Sequence, residues 1–236
     1  FGMCDGEWVE AVKKQLDTCG HTSNLYYTEP CAVLAKMLCE RTGMKKVFFS
    51  NSGAEANECA IKAARKYSED KYGAGRYEIV TLKNSFHGRT LATLSATGQD
   101  AMHKHFAPFV AGFSYADPTY EGVRAMCSKR TCAVMMELVQ GESGVNVLDI
   151  EEVEKIALFC KKNDILLIDE VQTGNGRTGF LYAYEHYKIK PDVVTTAKGL
   201  AGGLPLGATM FFGKTENVFT YGDHGSTFGG NPVACA

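Results

Sequence analysis

The sequence predicts an α/β fold, a mostly parallel sheet flanked by crossover helices, and three observations carry that expectation. Short apolar, partly β-branched runs alternate throughout the chain with longer stretches at helical spacing. The most apolar run, Ile165 to Ile168, carries no polar alternation and reads as a strand buried in the sheet. Small polar or glycine-bearing loops follow several of these runs, at the edge where doubly wound sheets bind ligands.

The elements follow in order. Residues 5 to 18 place Trp8, Val9, Val12 and Leu16 at helical spacing behind a capping Asp5. His21 to Tyr27 is irregular and polar-aromatic; it could line a site, or its tyrosines could pack a seam between domains. Glu29-Pro30 opens a helix that runs to Arg41 and closes at Gly43. Val47-Phe48-Phe49 is a short strand, Ser50 to Asn57 a small polar turn, and strong helix formers continue to Tyr67. Such a turn leaves unpaired N–H groups at a positive helix end, an anion site or simply a cap at Ser52 or Gly53.

A strand from Tyr77 to Leu82 leads into Asn84-Ser85-Phe86-His87-Gly88-Arg89-Thr90. Phe86 could stack on a flat ligand and Arg89 could grip a carboxylate with two parallel hydrogen bonds; an isolated loop Phe is otherwise simply buried. His103 and His105 lack a carboxylate or cysteine at metal-ligand spacing, so no metal is expected. The strand Cys132 to Met136 precedes Glu137 to Glu142, whose two carboxylates either do acid/base or gating work or lie on a solvated loop. Ile150 to Lys162 is an amphipathic helix leading to the central strand.

Asp169 and Glu170 follow that central strand. A second strand, Asp192 to Thr196, reached through a helical stretch, delivers Lys198 to the same edge. An amine for a Schiff base and a carboxylate for a pyridine nitrogen are what pyridoxal 5′-phosphate requires. Taken alone, the acid is as readily a loop residue or cap and the lysine a solvated one. Leu206 to Phe212 is a further strand, and Gly225 to Gly230 supplies hydroxyls and amides suited to phosphate. Two competing phosphate motifs are weaker. Gly174-Asn175-Gly176-Arg177-Thr178-Gly179 matches G-x-G-x-x-G but lacks the acid after the next strand, and the P-loop-like stretch Gly207 to Thr215 has the wrong spacing and lies along a strand.

Bulk properties narrow the field. A chain of 236 residues with 45% apolar content can bury a large core. A net charge of −2 with both signs interspersed gives no nucleic-acid or membrane surface. Nine cysteines without a Cys-x-x-Cys pair read as reduced, in a cytoplasmic protein. Phe1 in place of an initiator methionine, and a helix that opens at Asn231-Pro232 four residues before the end, suggest a piece of a longer polypeptide.

Six stretches in order resemble the class III (subgroup II) pyridoxal-phosphate-dependent aminotransferases, across essentially the whole chain. They are Ser23 to Pro30, Asn51 to Glu58, Phe86 to Thr90, Asp169 to Gly174, Thr196 to Leu200 and His224 to Pro232. The resemblance implies a fold-type I, aspartate-aminotransferase-like large domain over residues 30–236, preceded by part of an N-terminal segment (1–29) and lacking the C-terminal small domain. It implies that Lys198 holds the cofactor covalently and shuttles a proton, and that Asp169 keeps the pyridine nitrogen protonated. Gln172 would bond the phenolic oxygen, Val171 and Phe86 would sandwich the ring, and Glu170 would lie among the cofactor contacts. Gly53 and Ala54 would offer N–H groups to the phosphate, with Thr227 reaching it from the other subunit of a homodimer. Arg89 would bind the substrate's α-carboxylate near Ser226 and Tyr26, and Glu142 would act as a switch pairing with an arginine outside this chain. The implied reaction moves the δ-amino group of N-acetylornithine to 2-oxoglutarate. Other ω-amines, a non-catalytic cofactor-binding protein and a nicotinamide-dependent oxidoreductase are the alternatives. Ser143, where the family usually has glycine, is a departure of little expected effect.

Overall fold

The computed structural model describes residues 2–236, so Phe1, the first residue of the expected segment 1–29, lies outside the described residues. The chain opens with α1 (Gly6–Thr18), whose first turn is capped as anticipated: the Asp5 carboxylate accepts the Trp8 N–H at 3.1 Å. α2 (Glu29–Thr42) carries Pro30 in its first turn and ends on Gly43 in the left-handed region at φ 75°. β1 (Lys46–Ser50) then leads through Ser52, whose hydroxyl caps α3 (Gly53–Tyr72) by accepting the Glu55 N–H. α3 runs five residues past the expected end, because Ser68 and the polar turns after Tyr67 contain no breaker before Gly73.

β2 (Glu78–Leu82), α4 (Leu91–Ala96), β3 (Phe113–Ala116), α5 (Tyr120–Met126) and β4 (Thr131–Met136) complete the first half. The expected loop after β4 is instead a small antiparallel hairpin, β5 (Val139–Gln140) with β6 (Asn146–Val147). α6 (Ile150–Asn163) and the central β7 (Ile165–Asp169) follow. The helical stretch expected between β7 and β8 (Val193–Thr196) is absent. A string of turns spans it, with one 3₁₀ turn at Ala183–Glu185, because glycines at 174, 176 and 179 break any helix. β9 (Gly207–Phe211) and the short α7 (Pro232–Cys235) close the chain, the Asn231 side chain accepting the Ala234 N–H.

Seven strands form one sheet in the order β1-β9-β8-β7-β4-β2-β3. Every neighbouring pair from β8 to β3 is parallel, and β9 alone runs against both its neighbours. Strand side chains alternate between two cores. Ile79, Ala133, Met135, Ile165, Leu167 and Val193 meet the small residues of α3, whereas Val80, Val134, Met136, Leu166, Ile168 and Val194 face α5 and α6. Burial on both faces is why these strands read as unbroken apolar runs. Alanines 56, 60, 63 and 64 let α3 lie close along the sheet, so its N-terminus ends beside the carboxyl edge of β8 and β7. Among the described residues the nine cysteines are unpaired, and no helix is long and apolar enough to cross a membrane.

Leu167, 1% exposed at the centre of the sheet, tests this packing. Leu167→Ala should lower unfolding stability by about 2–5 kcal/mol, measured by chemical denaturation.

Candidate active site

Asp169 ends the central strand with its carboxylate 4% exposed, and three donors hold it there. The Asn57 amide donates to Oδ2 at 2.7 Å, His87 Nδ1 lies 2.8 Å from the same oxygen, and the Val171 N–H donates to Oδ1 at 3.0 Å. A carboxylate only accepts, so Nδ1 of His87 carries the proton in this pair. The donors are themselves fixed: Asn57 Oδ1 accepts the Thr195 hydroxyl at 2.7 Å, Asn57 Nδ2 also donates to the His87 carbonyl, and the His87 N–H donates to Thr97 Oγ1. Helix α3, the loop after β2 and strand β8 thus converge on one acid. His87 Nε2 is buried without a partner among the described residues.

The same acid lines a cavity of about 420 Å³ together with Lys198, Phe86, Arg89, Val171, Gln172, Gly53 and Ala54. Two parallel strand ends bring Lys198 and Asp169 to that cavity from β8 and β7. Lys198 sits in the left-handed region at φ 47°, uncommon for a residue with a side chain and frequent at functional positions. Gly53 is required by contact: an added Cβ would stand 2.5 Å from Val171 Cγ1, so only glycine lets the helix start and the valine approach this closely. An added Cβ at Gly141 would stand 2.1 Å from Gln172 Oε1, the free end of a side chain that can swing aside. The Arg89 guanidinium is exposed and stands 5.4 Å from the centre of the Phe86 ring.

These residues fit a flat, phosphorylated pyridine. The cavity has the size of small-molecule sites. One wall presents an anchored carboxylate, another a primary amine, and a third the open N-terminus of α3, whose first N–H groups have no partner within the helix.

Five expected site residues lie elsewhere. Glu170 is fully buried and turned away from the cavity: it accepts the Thr173 hydroxyl and the N–H groups of Ala183 (3.0 Å) and Tyr184 (2.8 Å), pinning the turns that follow β7. Ser226 and Thr227 line a separate shallow surface with His21 and Asn24, and the Ser226 hydroxyl accepts from Asn51 and Gly229. Tyr26 is 69% exposed and outside the cavity. Glu142 is exposed as well, and Gln99 donates to it at 2.7 Å.

The sequence gives no sign of Asn57 and leaves Glu137 open between acid/base or gating work and a solvated loop. Asn57 lies within the stretch Asn51 to Glu58, but nothing in its spacing marks it as the donor to an acid 112 residues away. Glu137, expected on a loop, is 5% exposed and lines the cavity. Burial pushes its carboxyl up to about 7; Asp169 adds to the rise, and His87, the Phe86 amide and Lys198 oppose it. A raised carboxyl binds its proton more tightly folded than unfolded, so it favours folding at low pH and loses that contribution as pH climbs to about 7. Unfolding free energy should therefore fall on the order of 3 kcal/mol further between pH 4.5 and 7 in the parent than in Glu137→Gln, measured by denaturant titration at stepped pH.

The family model described as aminotransferase class-III matches residues 1–236. Acetylornithine aminotransferases are similar throughout: that of Haemophilus ducreyi is 55% identical over 100% of this chain and 61% of its own length, and that of Caldanaerobacter subterraneus subsp. tengcongensis is 52% identical over 100% and 60%. The solved ornithine aminotransferase of Toxoplasma gondii ME49 superposes with a TM-score of 0.94 at 32% identity, covering 99% of this chain and 57% of that one. The chain thus spans about 60% of the length of the curated relatives it matches. With its cavity built at the carboxyl edge of the matching sheet, this chain belongs to the class-III aminotransferases.

Proposed function

We propose that the protein containing this chain is a pyridoxal-phosphate-dependent aminotransferase that moves the δ-amino group of N²-acetyl-L-ornithine to 2-oxoglutarate. The products are N-acetyl-L-glutamate 5-semialdehyde and L-glutamate, as arginine biosynthesis uses them. One observation carries the chemistry: an amine and a buried carboxylate from adjacent strands, with the open start of α3, enclose one cavity. The acetylated donor is supported by the acetylornithine aminotransferases to which the whole chain is about half identical.

Pyridoxal 5′-phosphate, when bound, supplies the electron sink and amino-group carrier that no side chain provides. Lys198 would hold the group through its Nζ and would serve as the base for the proton on the amine-bearing carbon of the substrate. Asp169, held by Asn57, His87 and the Val171 amide, fixes a negative charge where a ring N–H needs its acceptor. Among the residues that line the cavity, Gly53 and Ala54 would offer N–H groups to the phosphate, Gln172 would bond the phenolic oxygen, and Val171 and Phe86 would cover the ring. Arg89 binds the substrate's α-carboxylate, keeping the reacting ω-end toward Lys198.

Residues 30–236 form the cofactor-binding large domain, and residues 1–29 part of an N-terminal segment. Ser226, Thr227 and Tyr26 serve a neighbouring subunit's site in a cytoplasmic homodimer, consistent with their lying outside this chain's own cavity. Glu142 gates donor against acceptor. The ornithine aminotransferases among the similar folds keep unacetylated ornithine as the second reading, which a donor panel separates.

Lys198→Ala should abolish both the absorbance band of the lysine-linked cofactor and turnover, measured spectrophotometrically on the full-length protein. Arg89→Lys should raise KM for the amino donor about tenfold or more while lowering kcat less, because one ammonium cannot reproduce a two-point grip. N-acetylornithine should discharge the coloured form faster than ornithine, succinylornithine, 4-aminobutyrate or succinyldiaminopimelate.

A further inference from the structure

Three of the residues around the cavity, Phe86, His87 and Arg89, stand on one four-residue turn after β2. The turn is held from several sides, the His87 carbonyl by the Asn57 amide and the His87 ring by Asp169 among them. On the far side the His87 N–H donates to Thr97 Oγ1, and Gly88, at φ 138°, packs against Thr93 and Ala54. On the cavity side the first amide of the turn has a different partner: the Phe86 N–H donates to Glu137 Oε2 at 2.8 Å. Glu137 leaves the end of β4, the strand between β2 and β7 in the sheet, and its side chain is almost fully buried. Burying a carboxylate is unfavourable unless a specific donor meets it. Here that donor is the peptide of the residue whose ring faces the cavity.

We infer that Glu137 is a positioning residue: its carboxylate, by accepting the Phe86 N–H, sets the height of the Phe86 ring and of the Arg89 guanidinium above the cofactor plane. The ring and the guanidinium are already in contact, at 5.4 Å, so a shift of the turn moves the stacking face and the carboxylate grip together. Glu137 lines the cavity and acts on its contents through the turn that it holds. The groups facing it from the surrounding elements are His87 on the turn, Asp169 on β7 and Lys198 after β8. A neutral acceptor of the same shape satisfies the Phe86 amide equally well, which separates this role from a need for charge.

The inference rests on the pyridoxal-phosphate reading of the cavity, and the test keeps the two apart. Hydrogen exchange of residues 83–90 is measured on the cofactor-free, full-length protein, and pyridoxal-phosphate affinity by absorbance titration, for the parent, Glu137→Ala and Glu137→Gln. Glu137→Ala should speed exchange of the Phe86 amide and weaken cofactor affinity, each about tenfold. Glu137→Gln should return both to within about threefold of the parent, because its amide oxygen still accepts the N–H. Parent-like exchange and affinity in Glu137→Ala would overturn the assignment, as would a Glu137→Gln protein as impaired as Glu137→Ala, since charge and not the acceptor would then matter. A parent protein that takes up no pyridoxal phosphate sinks the functional reading instead, and this assignment with it.

Discussion

A carboxylate at the end of a central strand is costly to bury, and the fold is arranged so that Asp169 never lacks donors. Isolated in an apolar environment, such a group would lose far more than a hydrogen bond's worth of solvation. Three N–H groups from three different parts of the chain remove that penalty. Each contributor is anchored in turn, Asn57 by the Thr195 hydroxyl and His87 by Thr97. The acid is thereby fixed in direction as well as in charge. Preorganised charge of this kind is what makes a protein group effective toward a developing or resident charge on a ligand.

Close packing carries the same constraint outward. α3 reaches Asp169 through Asn57 only because its alanine-rich face lets it lie flat on β7, β8 and β9. Its first residue lies against Val171 so tightly that a methyl group has no room. The helix start and the strand end therefore share one geometry. Displacing one displaces the groups that the other presents to the cavity.

The strands were legible because parallel strands buried on both faces leave a run of apolar residues that periodicity detects. The Asp169–Lys198 pairing was legible because both follow such runs, and the register of β7 with β8 places them at one edge. Local chemistry also showed the caps at Asp5, Ser52 and Asn231. What stayed hidden depends on distance in space. Glu137 looked like a loop acid because nothing adjacent in sequence reveals that the β2 turn closes over it. Glu170, beside Asp169 in sequence, points the opposite way because successive strand residues alternate faces. The span from β7 to β8 carried enough helix formers to suggest a crossover helix, yet its glycines and the buried Glu170 hold it in turns. Ser226 and Thr227 sit in a motif whose spacing says nothing of the separate surface that they line.

The cavity's chemistry depends on one ring held from two sides. A crystal structure of the full-length protein with pyridoxal 5′-phosphate tests this most directly. The account predicts a covalent link to Lys198 Nζ and a pyridine nitrogen within about 3 Å of the Asp169 carboxylate. A ring linked to a different amine, or one whose nitrogen faces solvent with Asp169 still bound only to Asn57, His87 and the Val171 amide, would contradict it.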